Sequence, residues 1–181
     1  VATTTPDGSG FRVRDSWFDN VPSFVDGPLR LTQVAGLGAV PYQLAYGGAY
    51  YAYVEAADIG LSLAATNHRA IIAAGQQIKQ QICTELDISH PFAVDLSFLY
   101  GVIFTGPAEH AATGAQAATA AADLRNVCVF ADGELDRSPT GSGVSGLAAI
   151  LHQRGQLQPG QLLRVESITG AVFQLSVLQS C

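Results

Sequence analysis

The chain has 181 residues, of which 48% are apolar and 13% charged, with a net charge of -6. That length favours one domain with a real core, and the acidic, sparsely charged surface excludes the basic clusters a nucleic-acid interface needs. No apolar run approaches the ~20 residues of a membrane helix, so no membrane partner is expected.

The opening VATTTPDGSG lacks the basic and apolar blocks of a signal peptide and reads as a strand end and a turn. Strand character follows in FRVRDSWF, where Phe11, Val13, Asp15 and Trp17 alternate with Arg12 and Arg14. The alternation is imperfect, because Asp15 falls on the apolar side. The stretch VPYQLAYGGAYYAYVEA is two aromatic-rich strands around Gly47-Gly48, a glycine pair that marks a turn or a close backbone approach.

A helix comes next, with Thr66 or Asn67 as cap and Ile71, Ala74, Ile78 and Ile82 at helical spacing. It must end before His90-Pro91. LSFLYGVIFTG is a buried strand. AEHAATGAQAATAAAD is alanine-rich and of low complexity, helix or surface excursion. RNVCVFA, from Arg125 to Ala131, is a further short strand.

The stretch DRSPTGSG, Asp136 to Gly143, leads into a second helix with Val144, Leu147, Ala148 and Leu151 on one apolar face. His152 and Arg154 suit its last turn, and Gly155 its C′ position. LLRVES and AVFQLSVL close the chain as strands flanking Thr169-Gly170. The order of elements predicts an α+β fold, mostly antiparallel, with a helix packed on the sheet.

Cys83, Cys128 and Cys181 have neither disulfide-scaffold nor zinc spacing, and read as two buried thiols and a terminal one. That usage is that of a reducing, cytoplasmic compartment. No metal-ligand spacing joins His68, His110 and His152, so no metal site is expected.

The chemistry concentrates in DRSPTGSG. A helix start there leaves N–H groups free for an anion, and Gly141 and Gly143 let a ligand approach the backbone. No lysine follows the glycines, which excludes a P-loop. On spacing alone Thr140 or Ser142 is equally an ordinary N-cap, and Asp136 a turn acid or a ligand for a substrate amine.

DRSPTGSG closely resembles the second catalytic motif of the proline racemase family, DRSPCGTG in its racemases and 4-hydroxyproline 2-epimerases. The form with threonine is similar to the family's trans-3-hydroxy-L-proline dehydratases. VPYQLAYGGAYYAYVEAADIGL, ISHP, DLSFLYGVIFTGP, RNVCVFADGELDRSP and ESITGAVF also match in kind and order, so the likeness covers nearly the whole chain. It implies a diaminopimelate-epimerase-like half, an antiparallel-rich sheet wrapped around a central helix, in a cofactor-independent enzyme.

By the same resemblance, Asp136 binds the substrate at its ring nitrogen. Gly141 and Ser142 offer backbone N–H groups to its carboxylate. Thr140 stands where racemases keep their second catalytic cysteine. A racemase needs two thiols, one on each face of the α-carbon, and a threonine hydroxyl is too weak an acid and base to replace one. A dehydratase needs only one. In trans-3-hydroxy-L-proline the α-hydrogen and the hydroxyl leave from the same face, so one cysteine can serve both steps.

The family's base cysteine lies in MCGH, a string absent here in a chain without methionine. The expectation is therefore the second half of a hydroxyproline dehydratase, partnered by a half that carries the base cysteine, with a homodimer possible. The alternatives are a racemase or 4-hydroxyproline epimerase relative, or a non-catalytic amino-acid-binding module. Asp123, at a position where epimerases often carry histidine, reads as a surface acid, and His90 as a turn histidine.

Overall fold

A computed structural model of the chain describes residues 2–6, 11–109 and 122–180. Strands β1 (Ala2–Pro6) and β2 (Phe11–Ser16) pair antiparallel as a separate two-stranded ribbon. In it Asp15 accepts a hydrogen bond from the Thr3 hydroxyl at 3.1 Å. Val13, Asp15 and Trp17 are all exposed, so the expected inward face does not form.

Among the described residues, the main sheet holds nine strands. They are β3 (Phe24–Val25), β4 (Arg30–Val34), β5 (Gly38–Tyr46), β6 (Tyr50–Glu55), β7 (Leu99–Gly106), β8 (Leu124–Phe130), β9 (Glu134–Leu135), β10 (Leu163–Glu166) and β11 (Val172–Leu175). Their order is β11-β10-β8-β7-β6-β5-β3, with β4 on β5 and β9 on β8. Every pairing is antiparallel except β6 with β7 and β10 with β8. A parallel neighbour needs a crossover, and helix α1 (His68–Glu85) supplies the one between β6 and β7. Helix α2 (Gly141–Gln153) lies on the crossover between β9 and β10.

Alternation along the strands sorts side chains to the two helices. Tyr50, Ala52, Val54, Val102, Phe104, Val127 and Val129 share one core cluster with Ile71, Ala74, Ile78 and Ile82 of α1, all buried as their spacing requires. Tyr51, Tyr53, Ile103 and Cys128 point to the other side and pack on Leu147 and Ile150 of α2. Val144 and Ala148 bury against Leu157, Leu163 and Val165. Both β3 and β11, at opposite ends of the strand order, touch α2. The sheet thus curls around α2, which is buried on more than the one face its apolar spacing suggests.

Local differences from the sequence reading have local causes. Asn67 precedes α1 but its side chain donates to the Ser62 carbonyl at 2.8 Å, leaving no side-chain cap. Strand β7 starts at Leu99, because Val94–Leu96 forms a 3-10 turn closed by the Ser97 N–H on the Val94 carbonyl. His90 is a turn histidine, its Nδ1 accepting from the Phe92 and Ala93 N–H groups at 3.2 and 3.0 Å. Cys83 is exposed on α1, correcting the expectation of a buried thiol, while Cys128 is buried. Cys181, His110 and most of the alanine-rich stretch lie outside the described residues. Among the described residues, no helix is long and apolar enough to cross a membrane.

Candidate active site

The DRSPTGSG segment joins β9 to α2 and is held from several sides. The Asp136 N–H donates to the Cys128 carbonyl at 3.0 Å. The buried Asn126 side chain donates to the Pro139 carbonyl at 2.7 Å, and the Thr169 hydroxyl to the Arg137 carbonyl at 2.7 Å. Within the segment, Asp136 Oδ1 accepts the Ser138 N–H at 2.8 Å, and the Ser138 hydroxyl accepts the Thr140 N–H at 3.1 Å. Adjacent short polar side chains bonding the backbone two residues on is the usual way such a turn is fixed.

Thr140 occupies the cap position of α2 with φ 66° and ψ 104°, a left-handed conformation that a β-branched residue adopts only under constraint. Its side chain makes no capping bond. It donates instead to Asp136 Oδ2 at 2.7 Å, which corrects the ordinary N-cap reading for Thr140. Ser142 does not cap either, since it sits inside α2 and shares a hydrogen bond with the Tyr51 hydroxyl at 2.9 Å. The first-turn N–H groups of α2, those of Gly141 and Ser142 among them, have no intrahelical acceptor by position.

A groove of about 350 Å³ opens beside this helix end, lined by Gly48, Ala49, Tyr50, Tyr51, Leu96, Phe98, Tyr100 and Ser142. Its size suits a small molecule, and half of its lining residues are aromatic. Tyr100 stacks on Phe130 at 5.5 Å and meets Tyr51 edge-on at 5.8 Å, so the wall is braced. Phe18 crosses the same end of α2: its ring lies 3.3 Å from where a Cβ on Gly141 would stand.

The helix end is brought to the sheet by absent side chains. A Cβ on Gly47 would lie 2.2 Å from the Ser142 carbonyl oxygen and 2.5 Å from the Gly146 nitrogen. Gly47-Gly48 is therefore both the predicted turn and the predicted close approach. A Cβ on Gly146 would sit 2.3 Å from the Tyr53 hydroxyl, which donates to the Gly143 carbonyl at 2.7 Å. Two tyrosines of β6, both on its inner face, thus grip the first turn of α2.

Burial pushes the Cys128 thiol up to about 12, an effect the nearby Asp136 charge adds to and a Thr140 hydrogen bond opposes. Cys128 is a neutral thiol behind the motif, unsuited to act as a base. Burial likewise raises Tyr51 and Tyr53, which stay neutral. Deeper in the sheet, Arg125 and Glu166, each 1% exposed, pair at 2.8 Å, and Arg125 also reaches Glu109 at 2.6 Å and the Leu63 carbonyl at 2.9 Å. Asp123 is exposed and accepts the Arg164 N–H at 2.7 Å, a link between β8 and β10 away from the motif.

Of the residues expected at the site, Asp136 and Thr140 are in direct contact, and Ser142 lines the groove with Gly141 preceding it at the helix start. Tyr51, Tyr53, Phe98, Tyr100 and Phe18 were missed. The alternation in AYYAY places Tyr51 and Tyr53 on one face, a signal that lacked only the knowledge of which face meets α2.

The sheet curls around α2, and the N-terminus of that helix opens on the groove. Residues 1–181 match the Proline racemase family throughout, and the chain belongs to that family. It is 44% identical over 163 residues to trans-3-hydroxy-L-proline dehydratase from Colwellia psychrerythraea, covering 90% of this chain and 43% of that protein. With the Homo sapiens protein of the same name it shares 38% identity over 157 residues, 86% of this chain and 42% of that one. A hydroxyproline epimerase from Agrobacterium vitis, solved with bound trans-4-hydroxy-L-proline, superposes with a TM-score of 0.79 at 28% identity, over 99% of this chain and 49% of that one. The chain therefore spans somewhat under half the length of these relatives.

Proposed function

We propose that this chain is the half of a trans-3-hydroxy-L-proline dehydratase that carries the DRSPTGSG motif, and that the base cysteine comes from the rest of the enzyme. The observation that carries the reading is the hydrogen bond from Thr140 to Asp136 at the mouth of α2; by the motif's resemblance, Thr140 takes the place of a racemase's second cysteine. In this reading the substrate carboxylate lies against the first-turn N–H groups of Gly141 and Ser142, where the helix dipole favours negative charge. Asp136 takes the ring ammonium with the acceptor capacity that Ser138 and Thr140 leave.

The base removes the α-proton, the C–H electron pair forms the ring double bond, and the 3-hydroxyl departs with a proton as water. The enamine tautomerises to pyrroline-2-carboxylate. The Thr140 hydroxyl, already donating to Asp136, has only lone pairs to offer and delivers no proton to the opposite face of the α-carbon. Elimination then prevails over inversion. The chemistry requires no cofactor. Similarity to named dehydratases at 44% and 38% identity supports the same reaction.

The test is Thr140→Cys in the complete enzyme. A second thiol on the opposite face is expected to introduce epimerisation at the α-carbon of proline or 4-hydroxyproline. A folded variant with no such gain would remove the argument from Thr140.

A further inference from the structure

We propose that Tyr51 is a positioning residue of the carboxylate subsite, acting through Ser142. This rests on the dehydratase reading of the site. Tyr51 is 1% exposed and belongs to β6, a strand interior, so its ring cannot drift. Its edge-on contacts with Tyr53 at 6.4 Å and Tyr100 at 5.8 Å fix the plane of the ring. Its hydroxyl ends 2.9 Å from the Ser142 Oγ, while the same residue lines the groove.

Ser142 is half-buried, in the first turn of α2, and its own N–H is one of the free donors. A serine there has three staggered rotamers. The hydrogen bond it shares with the Tyr51 hydroxyl selects one of them. With Tyr51 as donor, the Ser142 hydroxyl keeps its own proton for a ligand in the groove beside its N–H. A carboxylate then meets two donors from one residue, in a fixed arrangement. Because burial keeps Tyr51 neutral, this brace persists across the working pH range.

The experiment is a double-mutant cycle in the complete enzyme, with Tyr51→Phe, Ser142→Ala and the double variant assayed for turnover of trans-3-hydroxy-L-proline. Tyr51→Phe is expected to raise KM about three- to tenfold, the span of one hydrogen bond, with kcat changed much less. Ser142→Ala should do the same, and adding Tyr51→Phe to it should change nothing further. Ser142→Thr, which keeps the hydroxyl, should stay near wild-type KM and tests the idea even if Tyr51→Phe fails to fold. Additive effects, a fall in kcat at unchanged KM, or a Ser142→Thr variant as impaired as Ser142→Ala would each overturn the proposal. A wild-type enzyme inert toward the substrate would instead overturn the dehydratase reading, and this inference with it.

Discussion

Gly47→Ala tests how the fold places the helix end. The added Cβ would lie 2.2 Å from the Ser142 oxygen and 2.5 Å from the Gly146 nitrogen, both backbone atoms of α2 that no rotamer change can clear. Comfortable separation is about 3.5 Å, so α2 must retreat from the Gly47-Gly48 turn by about 1 Å. Overpacking of this kind costs about 1–3 kcal/mol. The functional cost is of the same order, since a displacement of about 1 Å at a reacting centre can lower turnover about 100-fold, or about 2.7 kcal/mol. The retreat would also stretch the bonds from Tyr51 to Ser142 and from Tyr53 to the Gly143 carbonyl. The assay is kcat/KM of the complete enzyme beside its thermal melt, with Gly106→Ala as control. A Cβ at Gly106 meets only side-chain atoms, the nearest Leu63 Cδ1 at 3.3 Å, which can yield. A Gly47→Ala enzyme with wild-type turnover and melt would refute the close-approach argument.

The buried thiol and phenols make an alkaline limb. The Cys128 thiol ordinarily ionises near 8.5 and is held up to about 12 by burial. Above about pH 8.5 the unfolded chain therefore loses a proton that the folded chain keeps, and stability falls by up to about 1.4 kcal/mol per pH unit until the folded thiol ionises. Tyr50, raised to about 12, and the two raised inner tyrosines steepen the fall above about pH 10. Urea midpoints at pH 8, 9 and 10 should decline, and less steeply in Cys128→Ala; equal slopes in the two proteins would contradict the assignment. Thiol alkylation under native conditions in a Cys181→Ser background should modify Cys83 and spare Cys128 until the chain is unfolded. Native labelling of Cys128 at the rate of Cys83 would show that the sheet does not seal it.

Periodicity made much of this architecture readable before any coordinates. Ile71, Ala74, Ile78 and Ile82 could only be one buried stripe, and the aromatic alternation around Gly47-Gly48 could only be two strands. The two-residue strands β3 and β9 are too short to carry a period. Periodicity made helix α2 legible as a helix, and its central place came only from the family resemblance, because Gly143 and Gly146 are buried there by close contact rather than by hydrophobicity. On spacing its first residues fitted both a cap and a ligand site. The tertiary placement of Asp136, four residues back, draws the Thr140 hydroxyl away from the helix. Cys83 shows the converse error: a residue type usually buried stands on the solvent side of an amphipathic helix. The groove wall joins Tyr51, Phe98, Tyr100 and Ser142 from separate parts of the chain, which no local pattern records.

The most direct measurement is product analysis on the complete enzyme, given trans-3-hydroxy-L-proline and L-proline in separate reactions. The account predicts pyrroline-2-carboxylate from the first and no D-proline from the second. Racemisation of proline, or inversion of the hydroxyproline α-carbon without loss of water, would contradict it, because each needs a proton delivered from the side where Thr140 stands.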